Sequence, residues 1–401
     1  MNEGGRRTGS ALEVGRAFLK LGLTSFGGPI AHLGYFRHEF VVRRRWLGEA
    51  AFSETVALCQ FLPGPTSSQV GICVGLGRAG WGGALAAWLA FTAPSAAAML
   101  AFALLAPRFA TPAGGALVHG LGLAAVAVVL QAVTGMARAH CADRGHALVA
   151  VAAALLVLLA GSGLAQLAAI AGGALVGLRL RDLRATDAPL APGLPIAPRT
   201  GWAALGAYAA LLVVLPLLAT RVAGLGLFAA CYRAGALVFG GGHVVLPLLR
   251  EAVVPPGWLP EGDFLAGYGA AQALPGPLFS FAAYLGALAH VPPGGAGGAL
   301  LALAGIFLPG ILALVAAVPF WAQLRRQPAA RGAIAGANAA VVGVLAAALV
   351  SPIAASAIGG ATDLAIAALG AAWLMRGGAA PVAVVAFSAL GGLVAQSLAG
   401  V

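Results

Sequence analysis

Apolar residues in this chain come in long runs rather than at the spacing of an amphipathic helix or strand. The runs cover residues 81–107, 114–137, 145–162, 163–178, 201–219, 295–321, 332–350, 363–375 and 380–398. A helix needs roughly 17 to 25 apolar residues to cross about 30 Å of hydrocarbon, so runs of this kind predict membrane-spanning helices. Two stretches break the pattern in the same way: "QFLPGPTS" at 60–67 and "QALPGPLF" at 272–279. Proline has no amide hydrogen and disfavours helix in the residue before it, so each Pro-Gly-Pro predicts a helix that stops inside the membrane. The backbone groups left there cannot be satisfied by lipid and must face protein or a water-filled cavity.

Composition narrows the class. The chain is 61% hydrophobic and 9% charged, with a mean hydropathy of +0.95, more apolar surface than a soluble core can bury. An all-α integral membrane protein is expected. Its 59 glycines suit close helix packing in lipid. The formal charge of +11 sits largely in short loops between runs, where arginines orient a membrane protein; no nucleic-acid partner is expected. Cys59, Cys73, Cys141 and Cys231 show no metal spacing and no disulfide framework, so neither metal nor cofactor is expected. The opening "MNEGGRRTGSALEVGRAFLK" is too polar for a cleaved signal peptide.

The chain repeats itself. Aligning "SFGGPIAHLGYFRHEFV" (25–41) with "VFGGGHVVLPLLREAVV" (238–254) pairs Phe26 with Phe239, Gly27 with Gly240, Gly28 with Gly241 and Arg37 with Arg250. At nearly the same offset Trp46 meets Trp258, Glu49 meets Glu261, Gln60 meets Gln272, and Pro63-Gly64-Pro65 meets Pro275-Gly276-Pro277. The organisation expected is a cytoplasmic tail (1–14), a first repeat (15–180), a cytoplasmic linker (181–200), an extra helix (201–219) and a second repeat (220–401).

Charge then opposes the halves. Arg43, Arg44 and Arg45 face "EAVVPPGW", and "MARAHCADRGH" faces "SPIAASAIGGATD", neither of which has a basic residue. Conversely Arg325, Arg326 and Arg331 face a stretch carrying only Arg108. Because basic loops stay cytoplasmic, this pattern predicts two inverted-topology repeats, the helix at 201–219 flipping the second; parallel repeats are the alternative. Residues 47–77 and 261–291 then read as broken or re-entrant helical hairpins entering from opposite faces.

Such breaks hold substrate in inverted-repeat transporters. Lys20, the only lysine, aligns with Arg233, and cations at membrane depth are expensive enough to be functional candidates unless they snorkel. Ser25-Phe26-Gly27-Gly28 and Phe239-Gly240-Gly241-Gly242 allow a close backbone approach that presents amide hydrogens to an anion. His32 and His243 lie beside these turns, either as packed, hydrogen-bonded histidines or as groups linking transport to protons. Gln60, Thr66, Ser67, Ser68, Gln69, Gln272 and Ser280 offer neutral hydrogen bonds, to substrate or between helices. Arg37 with Glu39, and Arg250 with Glu251, are expected to close the ends of the turn elements. Together these point to a small, doubly charged oxyanion. No Ser-His-Asp set, paired carboxylates or G-x-x-x-x-G-K-[ST] stretch argues for an enzyme or an ATP-driven pump.

At these residues the sequence resembles the chromate ion transporter family, long-chain two-domain type. The matching stretches are "FLKLGLTSFGGPIAHLGYFRHEFV", "FLPGPTSSQVGICVGLGRAGWGGALAAWLAFTAPS", "GALVFGGGHVVLPLL" and "FLAGYGAAQALPGPLFSFAAYLGA", with Gly242 standing where the first half has Pro29. The resemblance implies a multi-pass protein of the bacterial inner membrane that exports chromate by secondary transport and confers resistance, energised by the membrane potential or by protons. A carrier taking up sulfate or another oxyanion would share the architecture. The partners expected are chromate or sulfate, a coupling ion such as the proton, the lipid bilayer and a second copy of the chain.

Overall fold

The computed structural model of the chain describes residues 9–106, 111–180, 194–219, 221–222, 224–239, 242–376 and 378–399. Among them there is helix and no strand. The first half begins with α1 (Ala11–Thr24), capped by the Ser10 hydroxyl, which accepts from the Glu13 amide. Gly27 and Gly28, both at positive φ, turn the chain into α2 (Gly28–Arg37), which runs on through a π-helical turn (His38–Arg43). Then come α3 (Glu49–Phe61), the first Pro-Gly-Pro, α4 (Thr66–Leu105), α5 (Pro112–His140), α6 (Arg144–Ala160) and α7 (Gly163–Leu180).

At 1.5 Å per residue, the 40 residues of α4 would be about twice the thickness of the hydrocarbon core if straight. They are not straight. Ala79 and Gly80 have non-helical backbone, with Gly80 at φ 65° and ψ −156°, and the chain doubles back there. The residues before the kink return from the break, and those after it make a full crossing.

After α8 (Pro198–Ala219), the second half repeats the plan in separate pieces. α9 (Leu225–Ala236) matches α1, and a 3-10 turn (Gly242–Val244) with α10 (Val245–Val253) matches α2. α11 (Glu261–Gln272) leads to the second Pro-Gly-Pro, and a 3-10 turn (Leu278–Ser280) with α12 (Phe281–Leu288) leads away from it. α13 (Gly295–Ala317), the short α14 (Trp321–Leu324), α15 (Pro328–Ala348), a π-helical turn (Leu349–Ala354) with α16 (Ala355–Ala357), α17 (Ala361–Arg376) and α18 (Pro381–Ala399) complete it. Five helical stretches among the described residues are long and apolar enough to cross a membrane: Thr66–Leu105, Pro112–His140, Pro198–Ala219, Gly295–Leu324 and Pro328–Ala357.

The halves exchange their last helices. α6 and α7 pack on α15 of the second half, while α17 and α18 pack on α5 of the first. Small residues four apart make this possible. Gly173 and Gly177 of α7 meet Gly332 and Gly336 of α15 so closely that a Cβ on Gly336 would stand 2.1 Å from the Gly173 carbonyl. In the mirrored contact Ser388 and Gly392 of α18 meet Ala116 and Gly120 of α5, and a Cβ on Gly120 would stand 2.3 Å from the Ser388 carbonyl. Contacts that repeat with the partners interchanged are what a two-fold relation between units produces.

Candidate functional site

The two Pro-Gly-Pro breaks bind crosswise to the residues that lead into the two glycine stretches. The Gly64 amide donates to the carbonyl of Val238 at 2.8 Å, and the Gly276 amide donates to the carbonyl of Ser25 at 3.0 Å. Ser25 and Val238 are aligned positions, as are Gly64 and Gly276, so each half's break is fastened to the residue that leads into the other half's glycine stretch. Both glycines are left-handed, at φ 119° and 101°. A Cβ on Gly64 would stand 2.8 Å from the Gly310 Cα, and one on Gly276 would stand 2.8 Å from the Ser95 Oγ. The chain thus needs glycine at both points for conformation and for space.

His32 fixes the first turn. It is 1% exposed, with Nε2 3.1 Å from the Ser25 carbonyl and Nδ1 3.3 Å from Ser67 Oγ. A carbonyl only accepts, so Nε2 carries a proton and donates, whereas the Ser67 hydroxyl, which can donate or accept, pairs with Nδ1. Both ring nitrogens are used, as in a packed histidine. Gln69 does similar work at the break, its amide donating to the carbonyls of Pro63 and Gly310, both at 2.9 Å. On the other side, His243 Nδ1 lies 2.7 Å from the Tyr268 hydroxyl. A Cβ on Gly28 would stand 3.9 Å from His243 Nε2, which sets this histidine beside the first half's turn.

Around this crossing several buried polar atoms make no hydrogen bond among the described residues: Ser25 Oγ, Ser68 Oγ, Gln69 Oε1, Thr92 Oγ1 and Gln272 Nε2. Leaving such a group dry and unpaired costs about 1–3 kcal/mol, so a cluster of them asks for a polar occupant.

Most of the residues singled out from sequence gather here: Ser25, Gly28, His32, Gly64, Ser67, Gln69, His243 and Gly276 are joined by the contacts above, and Pro63, Pro65, Pro275 and Pro277 flank the two amides. Thr66 and Ser280 are buried, whereas Phe26, Phe239 and Gln272 are half-buried, and Gly27 and Gln60 are exposed. Gly242 opens the 3-10 turn; Gly240 and Gly241 lie outside the described residues.

The two cations are not brought together. Lys20 is exposed, its Nζ 3.9 Å from the Glu39 carboxylate, which Arg43 and Arg44 also contact. Arg233 instead lines a cavity with Ser162, Gln166 and Glu251, and Lys20 is not among its lining residues. The expected turn-end pairs also change. Arg37 binds Glu49 at 2.7 Å rather than Glu39, and Arg250 binds Glu261 with both nitrogens rather than Glu251. Each arginine therefore reaches across the loop to the start of the next helix, tying α2 to α3 and α10 to α11. Neighbours one or two positions along a helix do not face each other, which is why the nearby glutamates were the wrong partners.

Sequence reasoning missed a second bridge between halves. Glu54 of α3 is 5% exposed and lies 3.2 Å from both the Arg325 guanidinium and the Trp321 indole nitrogen. One of only twelve acidic residues, set inside an apolar hairpin, was a readable signal.

With this geometry in view, relatives become informative. Residues 12–178 and 225–393 each match the family described as chromate transporter, one match for each half. The chain belongs to the chromate transporter family. A chromate transport protein of Pseudomonas aeruginosa is 31% identical over 73% of this chain and 69% of its own length. A chromate transport protein of Cupriavidus metallidurans is 29% identical over 83% and 80%, and a probable chromate transport protein of Synechococcus elongatus is 28% identical over 85% and 84%. No solved structure matches the chain. Family membership and the apolar helices make it a multi-pass membrane transporter.

Proposed function

We propose that the chain is a secondary carrier that exports chromate across the bacterial inner membrane, and that chromate crosses at the meeting point of the two broken hairpins. The crosswise Gly64–Val238 and Gly276–Ser25 bonds support this most directly, because they set both breaks and both glycine turns in one place among unpaired polar atoms. The names of the relatives supply the substrate class, favouring chromate over uptake of another oxyanion. Neutral hydroxyl and amide groups replace part of an anion's hydration without adding charge that would trap it.

The halves are inverted in this reading. In each, the hairpin enters and leaves at one face, and the long helix that follows carries the chain to the other. Parallel halves would put Glu54, near the entry of its hairpin, and Arg325, beyond α13, at opposite faces some 30 Å apart. Their 3.2 Å contact fits inversion. So does the 3.0 Å contact of His119, near the start of α5, with Asp363, near the start of α17. The basic loops around Arg43–Arg45, Arg138 and Arg325–Arg331 then share the cytoplasmic face. Near it Lys20, Arg43 and Arg44 outnumber the Glu39 carboxylate they surround, leaving positive charge to attract a dianion.

Everted vesicles containing the protein should accumulate chromate when a membrane potential or proton gradient is imposed. Loss from right-side-out cells faster than from cells lacking the protein should accompany it. Accumulation of chromate or sulfate by intact cells instead would reverse the assigned direction.

A further inference from the structure

The cavity that Arg233 lines, where this side chain is exposed, reaches Leu237, the residue before Val238 of the crossing, but includes none of the crossing's own residues. Its volume is about 310 Å³, on the order of ten water volumes, enough for a tetrahedral oxyanion with part of its hydration. Three elements build it: the start of α7 with Ser162, Leu164, Gln166 and Leu167, α9 with Arg233, and α10 with Glu251. Arg233 makes no ion pair among the described residues. The N-terminus of α7 adds the positive end of an 18-residue helix.

A second observation concerns the ligand's own proton. Gln166 is 8% exposed, and its Oε1 has no hydrogen-bond partner. That atom can only accept. A fully ionised dianion has no hydrogen to give it. Arg233 and Glu251 are the only titratable side chains among the described lining residues. The wall therefore combines a cation, a helix N-terminus, an orphaned acceptor and a carboxylate.

We propose that this cavity binds a tetrahedral oxyanion in its singly protonated form, hydrogen chromate for the transport reading above, on which the identity of the cargo rests. Arg233 takes two unprotonated oxygens with its planar fork, and the ligand's O–H donates to Gln166 Oε1. Chromate takes up its first proton close to neutral pH, whereas sulfate stays doubly charged throughout the physiological range. The cavity thus separates two anions of similar shape by whether they can donate. Under inverted topology the cavity lies toward the outer face, because α7 begins and α9 starts there, so it is a station on the exit side.

Equilibrium dialysis of labelled chromate against the full-length protein in detergent, at pH values on either side of chromate's protonation, tests this. Binding should strengthen about tenfold at the lower pH; phosphate, which also carries a proton there, should compete, and sulfate should not. Gln166→Leu should lose the gain and Gln166→Glu, which keeps an acceptor, should retain it. Equal affinity at both pH values, an unchanged gain in Gln166→Leu, or sulfate competing with the parent protein as well as phosphate does would each overturn the proposal. Matching detergent elution profiles of the variants exclude misfolding as the cause. Vesicle flux separates the two readings: chromate transport without these dialysis effects removes the cavity alone, and dialysis effects without chromate transport remove the cargo assignment alone.

Discussion

The carboxylate of Glu54 and the guanidinium of Arg325 face each other at 3.2 Å with little access to solvent, one from each half of the chain. Desolvating two charges nearly cancels their attraction, but removing Arg325 takes a cation from a buried carboxylate that the Trp321 indole also holds, at a cost of up to about 3–5 kcal/mol. Arg325→Ala should therefore lower the amount of folded protein in the membrane sharply. Replacing the pair together, as Glu54→Gln with Arg325→Gln, should recover most of it. Quantitative immunoblotting of membranes and a thermal unfolding series on the purified variants would measure the coupling, and additive effects of the two single changes would mean the bridge carries no energy.

Gly64→Ala and Gly276→Ala should each abolish chromate flux. A Cβ at either site meets backbone strain of about 1–2 kcal/mol and a contact at 2.8 Å. Gly257 also has positive φ, at 76°, but nothing stands within 4 Å of a Cβ there, so Gly257→Ala serves as the strained but uncrowded control and should keep most activity. Counterflow of labelled chromate in vesicles compares the three, and parental flux in Gly64→Ala would show that the break tolerates movement.

His32 should matter as a fixed donor and acceptor rather than as a proton carrier. His32→Leu leaves the Ser25 carbonyl with one bond instead of two and frees the Ser67 hydroxyl, so flux should fall by roughly one order of magnitude. His32→Gln, able to supply one donor and one acceptor, should fall less. The two variants measured side by side in the vesicle assay give the answer; equal loss would point to a role for the ring's own titration.

Face assignment can be read by labelling. In a Cys141→Ser background, where the remaining Cys59, Cys73 and Cys231 are buried, a cysteine at Arg44 should resist an impermeant thiol reagent added to whole cells. One at Pro256 should react. Equal labelling of both would favour parallel halves.

Much of this was legible because membrane burial writes its constraints locally. A span shows as an apolar run, and runs such as 295–321 and 380–398 correspond closely to α13 and α18. A helix break shows as Pro-Gly-Pro, and duplication shows as matched motifs. What escaped was partnership at a distance. Arg37 and Glu49 were both noticed, each as half of an aligned pair, yet only the loop that folds between α2 and α3 makes them partners. Lys20 and Arg233 are aligned in sequence, but alignment across a two-fold relation places equivalent residues in equivalent surroundings, not in the same one. The exchanged arms were unreadable for a related reason: Gly336 looks like any helical glycine until Gly173 is laid against it.

That exchange limits how the carrier can work. Were the two halves to rock against each other as rigid blocks, the glycine stripes joining α7 to α15 and α18 to α5 would slide apart at every turnover, although they allow no gap for a single methyl group. The moving parts must be shorter. In the transport reading proposed above, alternating access would fall to the paired hairpins, swinging inside a frame that the interlocked arms hold still.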